Sequence, residues 1–112
     1  MNLVHAWLAA FALAIASELL VAVPLLSPSG ASVWRRAAAV CLAQLATHPA
    51  VWFIWPQLGL SRPMYVLAAE AFAFVCEAVI YRFIFERLRW SRALATSALA
   101  NGVSLALGLL LH

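Results

Sequence analysis

Four long apolar stretches, separated by short polar connections, limit what this chain can fold into more than any other feature. They cover residues 3–26, 37–55, 64–85 and 93–111. An α helix needs about 20 apolar residues to cross about 30 Å of hydrocarbon, so each stretch is long enough to span a bilayer. The sequence therefore predicts an all-α membrane protein with four transmembrane helices, and a single domain over residues 1–112.

Composition and the connections support the same architecture. Hydrophobic residues make up 67% of the chain and charged residues 10%, whereas a soluble domain is about half apolar and about a quarter charged. The connections contain the turn-forming segments "SPSGAS" and "PQLGLSRP" and the charged corner "ERLRWSR". Because such short connections bring consecutive helices side by side in opposite directions, we expect an antiparallel up-down bundle.

The arginines predict the orientation in the membrane. Only Arg62 lies near the second connection, whereas six lie near the first and third: Arg35, Arg36, Arg82, Arg87, Arg89 and Arg92. Positive charge concentrates on the cytoplasmic side, so both termini should be non-cytoplasmic, in a prokaryotic inner (plasma) membrane. The arginines do not alternate with aromatic residues along a solvated face, so we expect the lipid bilayer, and no nucleic acid, as a partner.

Polar side chains inside the apolar stretches are the candidate site. A charge at mid-membrane costs ~2.5–3.5 kcal/mol on insertion scales, so such residues usually face the bundle interior. The candidate ligand- or proton-binding residues are Glu18, His48, Glu70, Glu77 and Asn101. Supporting polar residues on the same faces are Gln44, Tyr81, Arg82, Ser97 and Ser104.

Depth in the membrane predicts how these residues meet. With the topology above, Glu18, His48, Glu77 and Asn101 should lie at one level and converge, whereas Glu70 lies nearer the opposite surface. We expect Glu77 to face His48 and Asn101 and to hold a proton, donating a hydrogen bond to the second or fourth helix. On the fourth helix, Ser97, Asn101, Ser104 and Gly108 share one small polar face, which suits close packing.

This polar cluster has two interpretations. It is either a structural hydrogen-bond network that fixes helix register, or a site that binds or transports a proton, a cation or a small polar solute. A homo-oligomer or an accessory subunit of a larger membrane complex is the expected assembly. The sequence leaves the cofactor unknown and identifies no catalytic residue. It also identifies no metal site, because Cys41, His48, Cys76 and Glu77 lack the compact spacing of metal-ligand pairs.

Part of the third stretch is similar to a known enzyme family. "EAVIYR" (77–82) resembles the Glu-Glu-x-x-x-Arg motif of the CAAX-protease and bacteriocin-processing membrane family, with Glu77 and Arg82 at matching positions. The resemblance extends over residues 77–108, but Ala78 replaces the second glutamate and Asn101 replaces the expected histidine. It implies a degenerate intramembrane hydrolase as an alternative to a non-enzymatic protein.

A second resemblance depends on size, the number of spans and one residue. Four-span chains of the small multidrug resistance family carry a glutamate in the first span, and Glu18 in "AIASELL" is similar to it. This resemblance implies a small transporter or channel-like oligomer. The family often tolerates both orientations, which needs balanced connections, whereas this chain has a six-to-one arginine bias.

Overall fold

A computed structural model describes residues 2–111, which form four long helices. These are α1 (Leu3–Leu25), α2 (Val33–Phe53), α3 (Arg62–Ile84) and α4 (Trp90–Leu111). Short 3-10 turns at Ser27–Ser29 and Trp55–Leu58 follow α1 and α2. All four helices are long and apolar enough to cross a membrane, which confirms the all-α prediction and the number of candidate spans.

Three helices begin earlier than the sequence predicts. α2 starts at Val33 rather than at residue 37, α3 at Arg62 rather than 64, and α4 at Trp90 rather than 93. The apolar stretch marks only the part of a helix that hydrocarbon surrounds, whereas capping extends the backbone beyond it. At α2 the Ser32 hydroxyl accepts a hydrogen bond from the Arg35 N–H at 3.2 Å. Several arginines assigned to connections therefore lie in helical first turns.

The helices form a ring around a core of small side chains. α1 packs against α2 and α4, and α3 also packs against α2 and α4. Most buried apolar residues are alanines, namely Ala14, Ala22, Ala39, Ala43, Ala69, Ala73, Ala78, Ala93 and Ala100. Small residues let helix backbones approach closely in a membrane. Large apolar side chains such as Leu20, Phe83 and Leu110 point outward, which suits contact with lipid.

Arginines from neighbouring segments satisfy the C-terminal end of α1. The last four carbonyl groups of a helix have no N–H donor within the helix, so they need donors from outside it. Arg36 Nη1 donates to the Val23 carbonyl at 2.6 Å, and Arg36 Nε donates to the Ala31 carbonyl at 3.1 Å. Arg92 Nε donates to the Leu25 carbonyl at 2.8 Å. These two arginines thus join the start of α2 and the start of α4 to the end of α1.

Loss of the Arg36 contacts is expected to destabilise the bundle. Arg36→Gln removes two charge-assisted hydrogen bonds, so the free energy of unfolding should fall by about 1–2 kcal/mol. Unfolding in a denaturing detergent, followed by circular dichroism, measures it. Arg35→Gln is the matched control, because Arg35 is exposed and its substitution removes the same charge from the adjacent position. Equal losses in both variants would contradict the capping role.

Candidate functional site

Glu77 lies at the centre of a polar cluster in the bundle interior. Its side chain projects from α3 and is only 1% exposed. Gln44 Nε2 donates a hydrogen bond to Glu77 Oε1 at 3.0 Å, and Thr47 Oγ1 lies 3.2 Å from Glu77 Oε2. Both partners belong to α2, one of the two helices on which a partner was predicted. Both carboxyl oxygens of Glu77 therefore have hydrogen-bond partners.

Glu18 brings a second carboxyl group to the same level from α1. It is also 1% exposed, and it lies close to both Gln44 and Glu77. Its Oε2 atom is buried and has no hydrogen-bond partner among the described residues. Gln44 thus sits beside two carboxyl groups but donates to only one of them. The sequence expectation that Glu18 and Glu77 meet agrees with this placement.

The Thr47 hydroxyl has more acceptors than hydrogens. Its Oγ1 lies 3.0 Å from the Ala43 carbonyl and 3.2 Å from Glu77 Oε2. A hydroxyl group carries one hydrogen, so it donates fully to only one of these oxygens. Sequence reasoning named Gln44 but missed Thr47. Its position three residues after Gln44, on the same helical face, was the available signal.

Tyr81 lies one turn beyond Glu77 on α3 and continues its face, as the spacing predicts. Its side chain is fully buried, near Glu77 and Glu18. The phenolic oxygen has no hydrogen-bond partner among residues 2–111. Since buried hydroxyl groups are normally paired, the unpartnered Tyr81 and Glu18 oxygens mark the least satisfied part of the cluster.

On α4, a short hydrogen-bond chain runs toward α3. Asn101 Nδ2 donates to the Ser97 carbonyl at 2.9 Å and to Ser97 Oγ at 3.2 Å. Ser97 Oγ donates to the Phe74 carbonyl of α3 at 2.8 Å. Asn101 lies beside the Glu77 carboxyl group, as predicted.

The predicted small polar face of α4 is only partly correct. Ser97 is buried, whereas Ser104 is half-buried, and a side chain added at Gly108 would meet no atom within 4 Å. The buried face instead consists of Ala93, Thr96, Ser97 and Ala100. Burial on α4 therefore concentrates in its first half, and the close packing expected at Gly108 is absent from the described residues.

His48 points away from the carboxyl groups, so the predicted convergence of four residues is wrong for this one. Its Nδ1 accepts a hydrogen bond from Trp7 Nε1 at 3.0 Å. The imidazole ring also lies 5.2 Å from the Phe11 ring and 6.3 Å from the Trp52 ring, measured between centroids. One residue along a helix is a rotation of about 100°. Thr47 faces Glu77, so the next residue, His48, points in a different direction, and its contacts with Trp7 and Phe11 show that it faces α1.

The remaining predicted residues lie at the edges of the bundle. Glu70 is half-buried and lines a lateral cleft of about 450 Å³ between α3 and α4, with Arg62, Pro63, Val66, Leu67 and Leu105. This placement separates it from Glu77, as the sequence predicts. The Arg82 guanidinium lies over the Trp90 ring, 5.7 Å from its centroid. Arg82 therefore supports the corner between α3 and α4, outside the polar cluster.

Neither the metal-binding side chains nor similarity to known proteins assigns a ligand to this site. Residues 2–111 contain no group of three or more His, Cys, Asp or Glu side chains that could hold a metal ion. Both cysteines, Cys41 and Cys76, are free thiols. Comparison of the chain with models of protein families, with curated proteins and with solved structures finds no match.

Proposed function

We propose that this chain is a small integral membrane protein that binds a proton at the Glu18–Glu77 pair and passes it across or within the bilayer. The observation that carries the proposal is the burial of two neighbouring carboxyl groups, Glu18 and Glu77, each of which is 1% exposed. A proton, a cation and a small polar solute were the three candidate species. The burial and proximity of the two carboxyl groups favour the proton, because neutralising one of them relieves both the cost of burying a charge and the repulsion within the pair.

A proton on the Glu77 carboxyl group gives every polar group around it a hydrogen-bond partner. If Thr47 donates to the Ala43 carbonyl, its oxygen becomes an acceptor for Glu77 Oε2. Neutral Glu77 then donates from Oε2 to Thr47 and accepts at Oε1 from Gln44 Nε2, which lies 3.0 Å away. Every hydrogen in this set has its own acceptor. An ionised Glu77 would instead take the Thr47 hydrogen, and the Ala43 carbonyl would keep only its backbone donor within α2.

The second carboxyl group supports the same conclusion. Two neighbouring carboxylates in a low-dielectric interior repel each other, so protonation of one relieves the repulsion. The arginines that could neutralise them are engaged at helix ends, where Arg36 and Arg92 donate to carbonyls of α1. A metal cation is a poorer occupant, because Gln44 places an N–H donor, rather than an oxygen ligand, against Glu77 Oε1.

Infrared spectroscopy of the protein in lipid tests proton binding. We expect a protonated-carboxyl band at neutral pH that Glu77→Gln removes, and that Thr47→Val shifts to higher frequency because the acceptor is lost. Glu86→Gln is the control, because Glu86 is exposed in the corner between α3 and α4. If Glu77→Gln removes only an ionised-carboxylate band, the proposal is wrong.

Transport requires a path and a fixed orientation. Glu70 lies seven residues before Glu77, or about 10.5 Å along the helix, which is too far for direct proton transfer and requires intervening water. A second copy, or a larger membrane complex, would supply any wider pathway, since the interior of the ring consists mostly of alanine.

Proton flux into vesicles that contain a pH-sensitive dye should be lost with Glu77→Gln and retained with Glu86→Gln. Unchanged flux in Glu77→Gln would restrict the site to a structural role.

An antiparallel up-down arrangement, with both termini non-cytoplasmic, completes the proposal. It is supported by contacts between the end of one helix and the start of the next, such as the Tyr65 hydroxyl that donates to the Val51 carbonyl at 2.6 Å. The arginine bias supports the orientation. We expect single cysteines at exposed Leu60 and Glu86, in a background without Cys41 and Cys76, to be labelled from opposite sides. Labelling of Leu60→Cys from the cytoplasm would overturn the orientation.

The surroundings of Glu77 favour proton binding over hydrolysis. A hydrolase of the kind that residues 77–108 resemble needs a base or a metal ligand near the glutamate. The imidazole that could serve from another helix, His48, is engaged by Trp7 and packs against Phe11. We therefore place the protein among non-enzymatic membrane proteins.

A further inference from the structure

We propose that the arginine-rich end of the bundle contains a binding site for a phosphate group, which at this depth belongs to an anionic phospholipid. The site is a cleft of about 460 Å³ between the α1–α2 connection and the start of α4. It is lined by Pro28, Arg87, Arg89, Ser91, Arg92 and Ala95. It is separate from the Glu18–Glu77 pair and does not depend on proton binding.

The cleft combines three kinds of phosphate-binding group. Guanidinium groups bind phosphate oxygens through paired N–H donors, and three arginines line this cleft. Ser91 adds a hydroxyl group. The first backbone hydrogen bond of α4 is donated by the Ala93 N–H to the Arg89 carbonyl. The Ser91 and Arg92 N–H groups lie before it in the chain and have no carbonyl partner within the helix. The N-terminus of this 22-residue helix therefore adds free N–H groups and a positive dipole end.

One of the arginines is held in position before any ligand arrives, and a second lies beside the α1–α2 connection. Arg92 Nε is fixed by the Leu25 carbonyl at 2.8 Å, which leaves its terminal nitrogens for another partner. Arg87 Nη1 lies over Gly30, because a Cβ built at that glycine would be 3.8 Å from it. Gly30 has a φ of 76° and ends the 3-10 turn that carries Pro28. The two sides of the cleft therefore come from both connections at this end.

The location selects a lipid over a soluble anion. The cleft lies where apolar helices end, at the depth of lipid headgroups, and exposed Trp90 adjoins it. Basic pockets between transmembrane helices bind anionic headgroups. A free phosphate ion offers the same oxygens but lacks acyl chains to pack beside the outward apolar side chains of α4, such as Leu94 and Leu99.

Native mass spectrometry of the detergent-solubilised protein tests the site. Phosphatidylglycerol should be retained in preference to phosphatidylcholine, and inorganic phosphate should not displace it. Each arginine near an anionic surface contributes about a fivefold change in affinity, so Arg87→Gln with Arg89→Gln should weaken retention by about 25-fold. Arg35→Gln with Arg62→Gln is the matched control, because both residues are exposed and neither lines the cleft.

Each outcome decides the proposal. Selective loss of phosphatidylglycerol in the cleft variant alone supports a lipid site. Displacement by inorganic phosphate, also confined to the cleft arginines, supports the phosphate site but assigns it to a soluble anion. If the cleft and control variants lost phosphatidylglycerol equally, retention would depend only on the total positive charge, and the proposed site would be overturned. Equal retention of both lipids by the unaltered protein would overturn it too. Folding of each variant is checked by circular dichroism, and a third variant, Ser91→Ala, tests the site without removing charge.

Discussion

Replacing Glu77 with alanine is expected to destabilise the folded bundle by about 2–4 kcal/mol. The substitution leaves the Gln44 amide without its acceptor and removes the carboxyl oxygen that Thr47 Oγ1 contacts, and both side chains are buried. It also creates a small cavity where a carboxyl group was packed. The free energy of unfolding, measured by titration with a denaturing detergent and followed by tryptophan fluorescence, should show the loss directly.

Two further variants separate hydrogen bonding from burial. Glu77→Gln preserves the volume and an acceptor for Gln44, so it should cost about 1 kcal/mol or less if Glu77 is neutral. Glu70→Ala is the matched control, because Glu70 is a half-buried glutamate on the same helix at the edge of a cleft. It should change stability by less than about 0.5 kcal/mol. An equal loss for Glu70→Ala and Glu77→Ala would contradict a special role for the cluster.

The helices were predictable from the sequence because hydrocarbon imposes a simple requirement. A long apolar stretch that must satisfy its own backbone forms a helix, so all four were found. Their starting residues were not, since a helix continues past the hydrocarbon to a cap such as Ser32, which carries no hydropathy signal. The caps that Arg36 and Arg92 provide for α1 were also missed. Their hydrogen bonds join pairs of residues that are 13 and 67 positions apart in the sequence, and only the tertiary structure brings these pairs together.

The site was partly predictable for a related reason. Carboxyl groups in an apolar stretch must turn inward, which correctly placed Glu18 and Glu77 in the interior. Depth alone could not assign His48, because two residues at nearly the same level can face different neighbours. Thr47 and His48 are consecutive, yet one contacts Glu77 and the other contacts Trp7. Predicting that choice requires the rotation of α2 about its axis, which an evenly apolar helix does not encode.

Replacing Ala100 with leucine is expected to cause the second large loss of stability. Ala100 is 0% exposed and belongs to the buried cluster in which alanines from α1, α2 and α4 let the backbones approach. Three additional carbons have no space there without moving α4 away from its neighbours. Overpacking of this kind costs about 1–3 kcal/mol, and displacement of α4 would also lengthen the Ser97 contact with the Phe74 carbonyl.

Ala98→Leu is the matched control, because Ala98 lies two residues earlier on the same helix and is exposed toward lipid. It adds the same side chain, increases the apolar surface available to lipid and should leave the free energy of unfolding within about 0.5 kcal/mol. The same denaturing titration compares the two variants. If Ala100→Leu proved as stable as Ala98→Leu, the helices would have to pack less closely than the structure places them. The interior would then have room for water beside the Glu18–Glu77 pair, and the closed polar cluster would be replaced by a hydrated one.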